Sequence, residues 1–132
     1  MENLVIKYTP ETPSINFDAS TGLLQIKGRC IPSNPDEFWA EVLLWFDSYV
    51  RNPAPETKFI INLEYFNISS SKRILFLLYK LNELIDNGFT AKVDWFYRES
   101  EEDMFEVGQD YAYMVKVPFN FYSTDELDVV TI

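Results

Sequence analysis

A run of amide, hydroxyl and basic side chains lies between a stretch typical of a β-strand and one typical of a helix. Residues 67–72 read Asn-Ile-Ser-Ser-Ser-Lys, and Arg73 follows directly. The N–H groups left free at a helix start bind either capping side chains or an anion such as a phosphate group. Lys72 and Arg73 oppose the helix dipole at this end, which favours an anion. The segment therefore has two interpretations, a group of helix caps or a phosphate-dependent site.

The types of ionisable side chain in the sequence argue against most enzyme chemistry. The sequence contains no histidine, so it lacks the commonest general base, the commonest transition-metal ligand and every Ser-His or Cys-His dyad. Cys30 is the single cysteine and is interpreted as a structural residue at a strand end. Glu64 with Asp94 is the remaining acid–base candidate, and nothing beside it supplies a nucleophile or a metal site. We expect no cofactor and no metal.

Charge, hydropathy and length describe a small acidic protein. Eleven Lys and Arg against 21 Asp and Glu give a net charge of −10, which opposes nucleic-acid binding because that requires clustered positive charge. No apolar run approaches the roughly 18 residues of a membrane span, and the first residues do not resemble a signal peptide. One cysteine fits a reducing compartment, so we expect a cytoplasmic protein. The 132 residues predict a single domain, 1–132, with an ordered core from about residue 14 to residue 123.

Alternation of apolar and polar residues predicts five strands. Residues 15–18 and 24–27 alternate on either side of a polar turn, which is typical of an antiparallel hairpin. Further strands are predicted at residues 57–66, 90–97 and 118–122, the last at a sheet edge because it begins with Pro118. Both ends of the chain, residues 1–14 and 124–132, are expected to be loose.

Three amphipathic stretches predict helices between these strands. The first runs from about Pro35 to Arg51, with Asn34 as its N-cap, and the second from about Ser70 to Asn87. The third opens with a capping box formed by Ser100 and Asp103. The predicted buried stripe of the second helix comprises Ile74, Leu77, Leu78, Leu81 and Ile85. That of the third comprises Met104, Val107, Tyr111, Met114 and Val115.

The order of these elements predicts an α/β fold. Strands joined by helices imply parallel pairing through right-handed crossovers, after an antiparallel amino-terminal hairpin. The strands alternate instead of being apolar throughout, so the helices should cover mainly one face of a mixed sheet. We expect Trp45, Leu63, Leu78 and Trp95 to share the core.

Several uncommon stretches of the sequence occur in an order that resembles one protein family. These stretches are GRCIPSNP at 28–35, LEYFN at 63–67, SSSK at 69–72, EDM at 102–104, Gly108, DY at 110–111 and PF at 118–119. Together they resemble the SiaC family of bacterial regulatory phosphoproteins over about residues 12–121. The resemblance implies a STAS-like fold, related in architecture to that of anti-sigma-factor antagonists.

The family resemblance also implies a function without enzymatic activity. It implies partner switching, in which a cognate protein kinase phosphorylates the protein, a PP2C-type phosphatase dephosphorylates it, and the phosphorylation state selects the bound partner. In some members the unmodified form binds and activates a diguanylate cyclase, which links the family to biofilm formation. From the acidic charge and the lack of a long apolar run, we expect neither a nucleic-acid partner nor a membrane partner.

The sequence departs from the family at the phosphorylated position. The family has a threonine directly after the loop asparagine, and this chain has Ile68, which carries no hydroxyl. Either Ser69 has taken that role, or the chain is a constitutive interaction domain that is not phosphorylated. The predicted partner-binding surface is centred on this segment and reaches a large apolar side chain on the polar side of the second helix. It comprises Asn67, Ile68, Ser69, Ser70, Lys72 and Phe76.

Overall fold

A computed structural model of the chain describes residues 1–124, which form one six-stranded mixed sheet and three helices. The strands are β1 (Leu4–Ile6), β2 (Ser14–Asp18), β3 (Leu23–Cys30), β4 (Glu56–Phe66), β5 (Thr90–Arg98) and β6 (Phe119–Thr124). The helices are α1 (Pro35–Tyr49), α2 (Ile68–Asp86) and α3 (Glu102–Met114). None of these helices is long and apolar enough to cross a membrane.

The strands lie in the sheet in their order along the chain. β1 to β3 are antiparallel neighbours, and β3 to β6 pair in parallel, so β6 is an edge strand as predicted. Each parallel pair is joined by one helix, and crossovers of the same hand place successive helices on the same side of the sheet. The predicted mixed α/β fold is confirmed.

The two faces of the sheet differ in character. Leu24, Phe59 and Val93 point to the helices and are fully buried, whereas their neighbours Gln25 and Ile60 on the opposite side are only partly buried. We call the side without helices the open face. The helical side contains the core, including the predicted Trp45, Leu63, Leu78 and Trp95.

The amino terminus corrects one expectation. Residues 1–14 are expected to be loose, but Leu4–Ile6 forms β1, which pairs with β2 in the register Leu4↔Phe17. The same expectation for the carboxyl end falls, beyond Thr124, outside the described residues. Leu4 is buried, and Glu2 accepts a hydrogen bond of 2.8 Å from the indole of Trp45 through its carbonyl oxygen. A strand of three residues has too short a pattern to be recognised without its partner strand.

Helix α3 corrects two more expectations. Its N-cap is Glu101 without a side-chain cap, so the predicted capping box of Ser100 and Asp103 is wrong. The buried face runs through Met104, Gly108 and Tyr111, and Met114 is 55% exposed. The reason is a close approach of the helix to the sheet. A Cβ atom on Gly108 would lie 2.6 Å from Nε1 of Trp95. The absence of a side chain at Gly108 therefore allows the helix to pack against Trp95 along this face.

Helix α2 confirms most of its predicted stripe. Four residues of this stripe are fully buried, namely Ile74, Leu77, Leu78 and Leu81. Ile85, also predicted to be buried, is only partly buried, and Leu84 is buried instead. Gly88 follows the C-cap residue Asn87 with a φ of +87°, a conformation that glycine adopts without strain.

We expect the Leu78→Ala substitution to lower the free energy of unfolding by about 2–5 kcal/mol, because it leaves a cavity in a packed core. Leu44→Ala is the matched control, since Leu44 is also helical but 69% exposed. The control should cost no more than about 0.5 kcal/mol. Denaturant titration of both variants measures the difference, and equal losses would contradict the assignment of the buried face.

Candidate functional site

The amino end of α2 follows β4 without a loop. Asn67 is the N-cap, and its side-chain oxygen accepts a hydrogen bond of 3.0 Å from the backbone N–H of Ser70. The backbone N–H of Asn67 also donates to the carbonyl oxygen of Cys30, at 3.1 Å. The helix therefore begins at Ile68, two residues before the predicted start at Ser70, and the candidate serines lie in its first turn.

The three consecutive serines have different environments. The Ser69 hydroxyl is partly buried and donates to the side-chain oxygen of Asn67 at 3.1 Å. The Ser71 hydroxyl donates to the carbonyl oxygen of Ile68 at 2.8 Å. Ser70 is fully buried, so the prediction that it contacts a partner is wrong for this conformation. Of the serines predicted in the partner surface, only Ser69 is accessible.

The buried Ser70 hydroxyl joins three elements of the fold. It accepts a hydrogen bond of 3.2 Å from the indole of Trp39 in α1 and one of 3.3 Å from the thiol of Cys30 in β3. Burial raises the pKa of the Cys30 thiol to about 11, and the contact with Ser70 opposes this only in part. Cys30 is therefore a protonated packing residue at neutral pH, consistent with its interpretation as structural.

Helix α3 also holds this end of α2. The Tyr111 hydroxyl donates to the carbonyl oxygen of Ser71 at 2.9 Å, and burial raises the pKa of Tyr111 to about 12. The first turn of α2 is thus bound on its inner side by side chains from β3, α1 and α3.

The two basic residues in the first turn have different roles. Arg73 forms an ion pair with Asp36 at the start of α1 and donates to the carbonyl oxygen of Ser69 at 2.9 Å. The inference that Arg73 needs an external anion is therefore wrong, because a carboxylate of the chain itself supplies the charge. Lys72 is exposed and forms no salt bridge with the residues that the structure describes. Of these two residues, only Lys72 is available to an external anion.

Apolar side chains surround this end of α2 on the solvent side. Ile68 is 80% exposed and Phe76 is 48% exposed. Tyr79 in α2 is 46% exposed, and Tyr65 at the end of β4 is 54% exposed. Ile68, Lys72, Phe76 and Tyr79 are spaced by three or four residues, so they share one helix face, which we call the outer stripe. Tyr65 and Tyr79 were not predicted, although the helical spacing from Phe76 could have identified Tyr79.

The carboxylates considered for acid–base chemistry are each bound to a cation. Glu64 accepts from Arg98 at 2.7 Å, and the buried Asp94 lies 3.1 Å from the ammonium of Lys58. Asn120 donates a further hydrogen bond to Asp94 at 3.3 Å. The two carboxylates thus belong to separate ion pairs. Residues 1–124 contain no cluster of three or more acidic or cysteine side chains able to hold a metal ion.

A family comparison matches nearly the whole of this fold. The model described as SiaC family regulatory phosphoprotein matches residues 6–124, a range that includes the first turn of α2, the outer stripe and all elements except the start of β1. The chain belongs to the SiaC family. Family membership therefore agrees with the resemblance carried by the short motifs, including LEYFN and SSSK.

Individual relatives support the same assignment. A protein of Pseudomonas aeruginosa (strain UCBPP-PA14) is 27% identical over 126 residues, which are 96% of this chain and 100% of the relative. The crystal structure of apo-SiaC from P. aeruginosa superposes with a TM-score of 0.85 at 26% identity, over 92% of this chain and 98% of the other. The structure of the diguanylate cyclase SiaD in complex with its activator SiaC, also from P. aeruginosa, matches at a TM-score of 0.86 and 26% identity. That match covers 92% of this chain and 99% of the matched chain.

We expect Asn67→Ala to destabilise the chain by about 0.5–2 kcal/mol, because the N–H of Ser70 loses its cap. Asn67→Asp is the control, since it retains a side-chain oxygen and its charge suits the helix start. Denaturant titration should place the Asp variant near the parent protein. A loss as large in the Asp variant as in the Ala variant would show that capping is not what Asn67 contributes.

Stability should fall as the pH rises above about 9. The folded state raises the pKa of Cys30 from 9.0 to about 11 and that of Tyr111 from 10.0 to about 12. Between about pH 9 and pH 12 the folded protein therefore binds more protons than the unfolded chain, so the free energy of unfolding falls as the pH rises through this range. Thermal unfolding of a Cys30→Ala, Tyr111→Phe double variant measures the effect. Its melting temperature should decline less between pH 8 and pH 11 than that of the parent protein, and an equal decline would contradict the assignment.

Proposed function

We propose that this chain is a non-enzymatic regulatory protein that binds partner proteins through the amino end of α2. The observation that carries the proposal is the exposed Ile68, which stands beside the accessible Ser69 on a turn anchored from within by Ser70. Phe76, Tyr79 and Tyr65 are exposed as well, and a group of exposed apolar side chains is typical of a protein interface. Membership of a family of regulatory phosphoproteins supports the same role.

Phosphorylation of Ser69 is the proposed switch. Ser69 occupies the second position of α2, where a helix end leaves N–H groups free and favours negative charge. Asn67 caps the N–H of Ser70, which leaves the N–H groups of Ile68 and Ser69 for a phosphate. The exposed Lys72 provides a cation on the same turn. The modified turn can therefore keep its fold while its surface changes from apolar to strongly anionic.

The proposed downstream partner is a diguanylate cyclase. The support is the complex in which the related SiaC of P. aeruginosa activates the cyclase SiaD. By the same family relation, a cognate kinase adds the phosphate and a PP2C-type phosphatase removes it, and the system acts in the cytoplasm to control biofilm formation. The unmodified outer stripe binds the cyclase, and the phosphate weakens that complex by charge and desolvation.

A constitutive interaction domain is the second candidate function. The family's phosphorylated position is occupied here by Ile68, and the Ser69 hydroxyl is engaged by the oxygen of Asn67. In this alternative the chain binds its partner in one permanent state, with Ile68 as the apolar centre of the interface.

We expect Ser69→Asp to weaken the complex with the diguanylate cyclase of the same genome by at least about tenfold, and Ser69→Ala to leave it unchanged. Ser48→Asp is the matched control, because Ser48 is an exposed serine on a different helix, α1, and the added charge is the same. Isothermal calorimetry measures the affinities, and cyclase turnover reports activation. Equal weakening by both Asp variants would contradict a local effect at α2.

Phosphopeptide mapping after incubation with the kinase of the same genome separates the two candidates. The switched function predicts modification at Ser69, and the constitutive function predicts none, with cyclase binding intact. Ile68→Thr restores a hydroxyl at the family position and shows whether the kinase is active on this fold. Modification confined to a distant residue such as Ser100 or Ser123 would overturn the assignment to Ser69.

A further inference from the structure

A cavity of about 470 Å³ lies on the open face, away from α2. It is bounded by the segment that follows β1 and by the carboxyl ends of β3 and β4. Tyr8, Pro10 and Gly28 contribute apolar wall, and Lys27, Arg29 and Asn62 contribute polar groups. Small-molecule sites have this size and this combination of apolar wall with a few convergent polar groups.

A β-bulge shapes the floor of the cavity. The pairing of β3 with β4 shifts between Gly28 and Arg29, so that Gly28 pairs with Leu63 and Arg29 with Tyr65. Gly28 has a φ of +124°, which other residues rarely adopt. An added Cβ atom there would meet the backbone of Pro13 at 3.4 Å. Bulges of this kind redirect side chains at functional sites, and here both Lys27 and Arg29 line the cavity.

Asn62 supplies a polar side chain that a ligand in the cavity can reach. Asn62 is 8% exposed, and its side-chain amide forms no hydrogen bond with the residues that the structure describes. The amide atoms of Asn62 are not sealed from solvent, so they are open to the cavity and free to bond a ligand there. Asn62 lines the cavity beside Lys27, whose pKa is lowered by burial. An anion in this position would meet an unpaired amide and a partly desolvated cation.

We propose that this cavity binds a small organic carboxylate with an apolar body. The carboxylate accepts hydrogen bonds from the amide of Asn62 and charge-assisted bonds from Lys27 and Arg29, and the apolar body packs against Tyr8 and Pro10. Glu64 also lines the cavity but is held by Arg98 at 2.7 Å. Its negative charge disfavours a multiply charged phosphate more than a singly charged carboxylate. No residue of α2 lines the cavity, so this site is independent of the proposed switch.

The test is a titration of the isotope-labelled full chain with 3-phenylpropionate, followed by ¹H–¹⁵N NMR. The expected result is saturable shifts at residues 27–29 and 62–64. The neutral analogue 3-phenylpropanamide should bind at least about tenfold more weakly, because it cannot form the charged bonds. No saturable shift, or equal affinity for acid and amide, would overturn the proposal.

Matched variants locate the site. Lys27→Met and Asn62→Leu should each weaken the binding of 3-phenylpropionate about tenfold or more. Lys92→Met should not, because Lys92 lies on the same sheet face but does not line the cavity. Melting curves confirm that each variant is folded, and if Asn62→Leu unfolds, Lys27→Met alone decides. Equal effects of Lys27→Met and Lys92→Met would overturn the site.

The source of the carboxylate is distinguished by a second probe. N-acetylglycyl-phenylalanine carries the same aromatic acid at the end of a peptide. Tighter binding of this probe than of 3-phenylpropionate assigns the carboxylate to a peptide end, and weaker binding assigns it to a free small molecule. Both outcomes support the carboxylate site. If neither probe shifts residues 27–29 and 62–64, the site is absent.

Discussion

The hydroxyl of Ser70 is the point on which the functional end of this fold depends. It is fully buried between the indole of Trp39 and the thiol of Cys30, so it satisfies donors from α1 and β3 at once. Loss of such a shared acceptor would leave buried donors without partners, which costs more than the bonds themselves contribute. The first turn of α2 is therefore held in place by polar contacts within an otherwise apolar core.

This anchoring explains how neighbouring serines acquire different roles. Because Ser70 points inward, the helical rotation of 100° per residue turns Ser69 and Ser71 to either side of it. Ile68 is directed to solvent, and Lys72 joins it on the outer stripe. A rigid inner side and a variable outer side allow the surface chemistry of the turn to change while the fold stays constant. Such a site suits regulation by charge more than regulation by a change of shape.

Strand β4 connects the two candidate sites. Its final residues lead directly to Asn67 and the first turn of α2, while Asn62 and Glu64 face the cavity on the open side. The ion pair of Glu64 with Arg98 ties the end of β4 to β5 between them. The helical face and the open face thus share one strand, although no side chain belongs to both sites.

The sequence alone determined the elements whose patterns are long. The alternation in β4 and β5 and the stripe of α2 extend over nine or more residues, so their buried faces follow from period and burial alone. Asn34 was recognisable as a helix cap, whereas Asn67 was assigned to a loop before a helix starting at Ser70. The short motifs of residues 28–35 and 63–72 were sufficient to suggest the family. These patterns involve residues close together in the sequence, so they can be recognised without knowledge of the tertiary structure.

Only the tertiary structure decided the features that depend on distant residues. Asp36 neutralises Arg73 from 37 positions away, and Ser70 meets Cys30 from 40 positions away. The three residues of β1 become a strand only by pairing with β2. The close approach of Gly108 to Trp95 selects a buried face of α3 that excludes the predicted Met114. In each case the sequence allows several partners, and the packing of the helices on the sheet selects one because burial requires every polar group and every void to be matched.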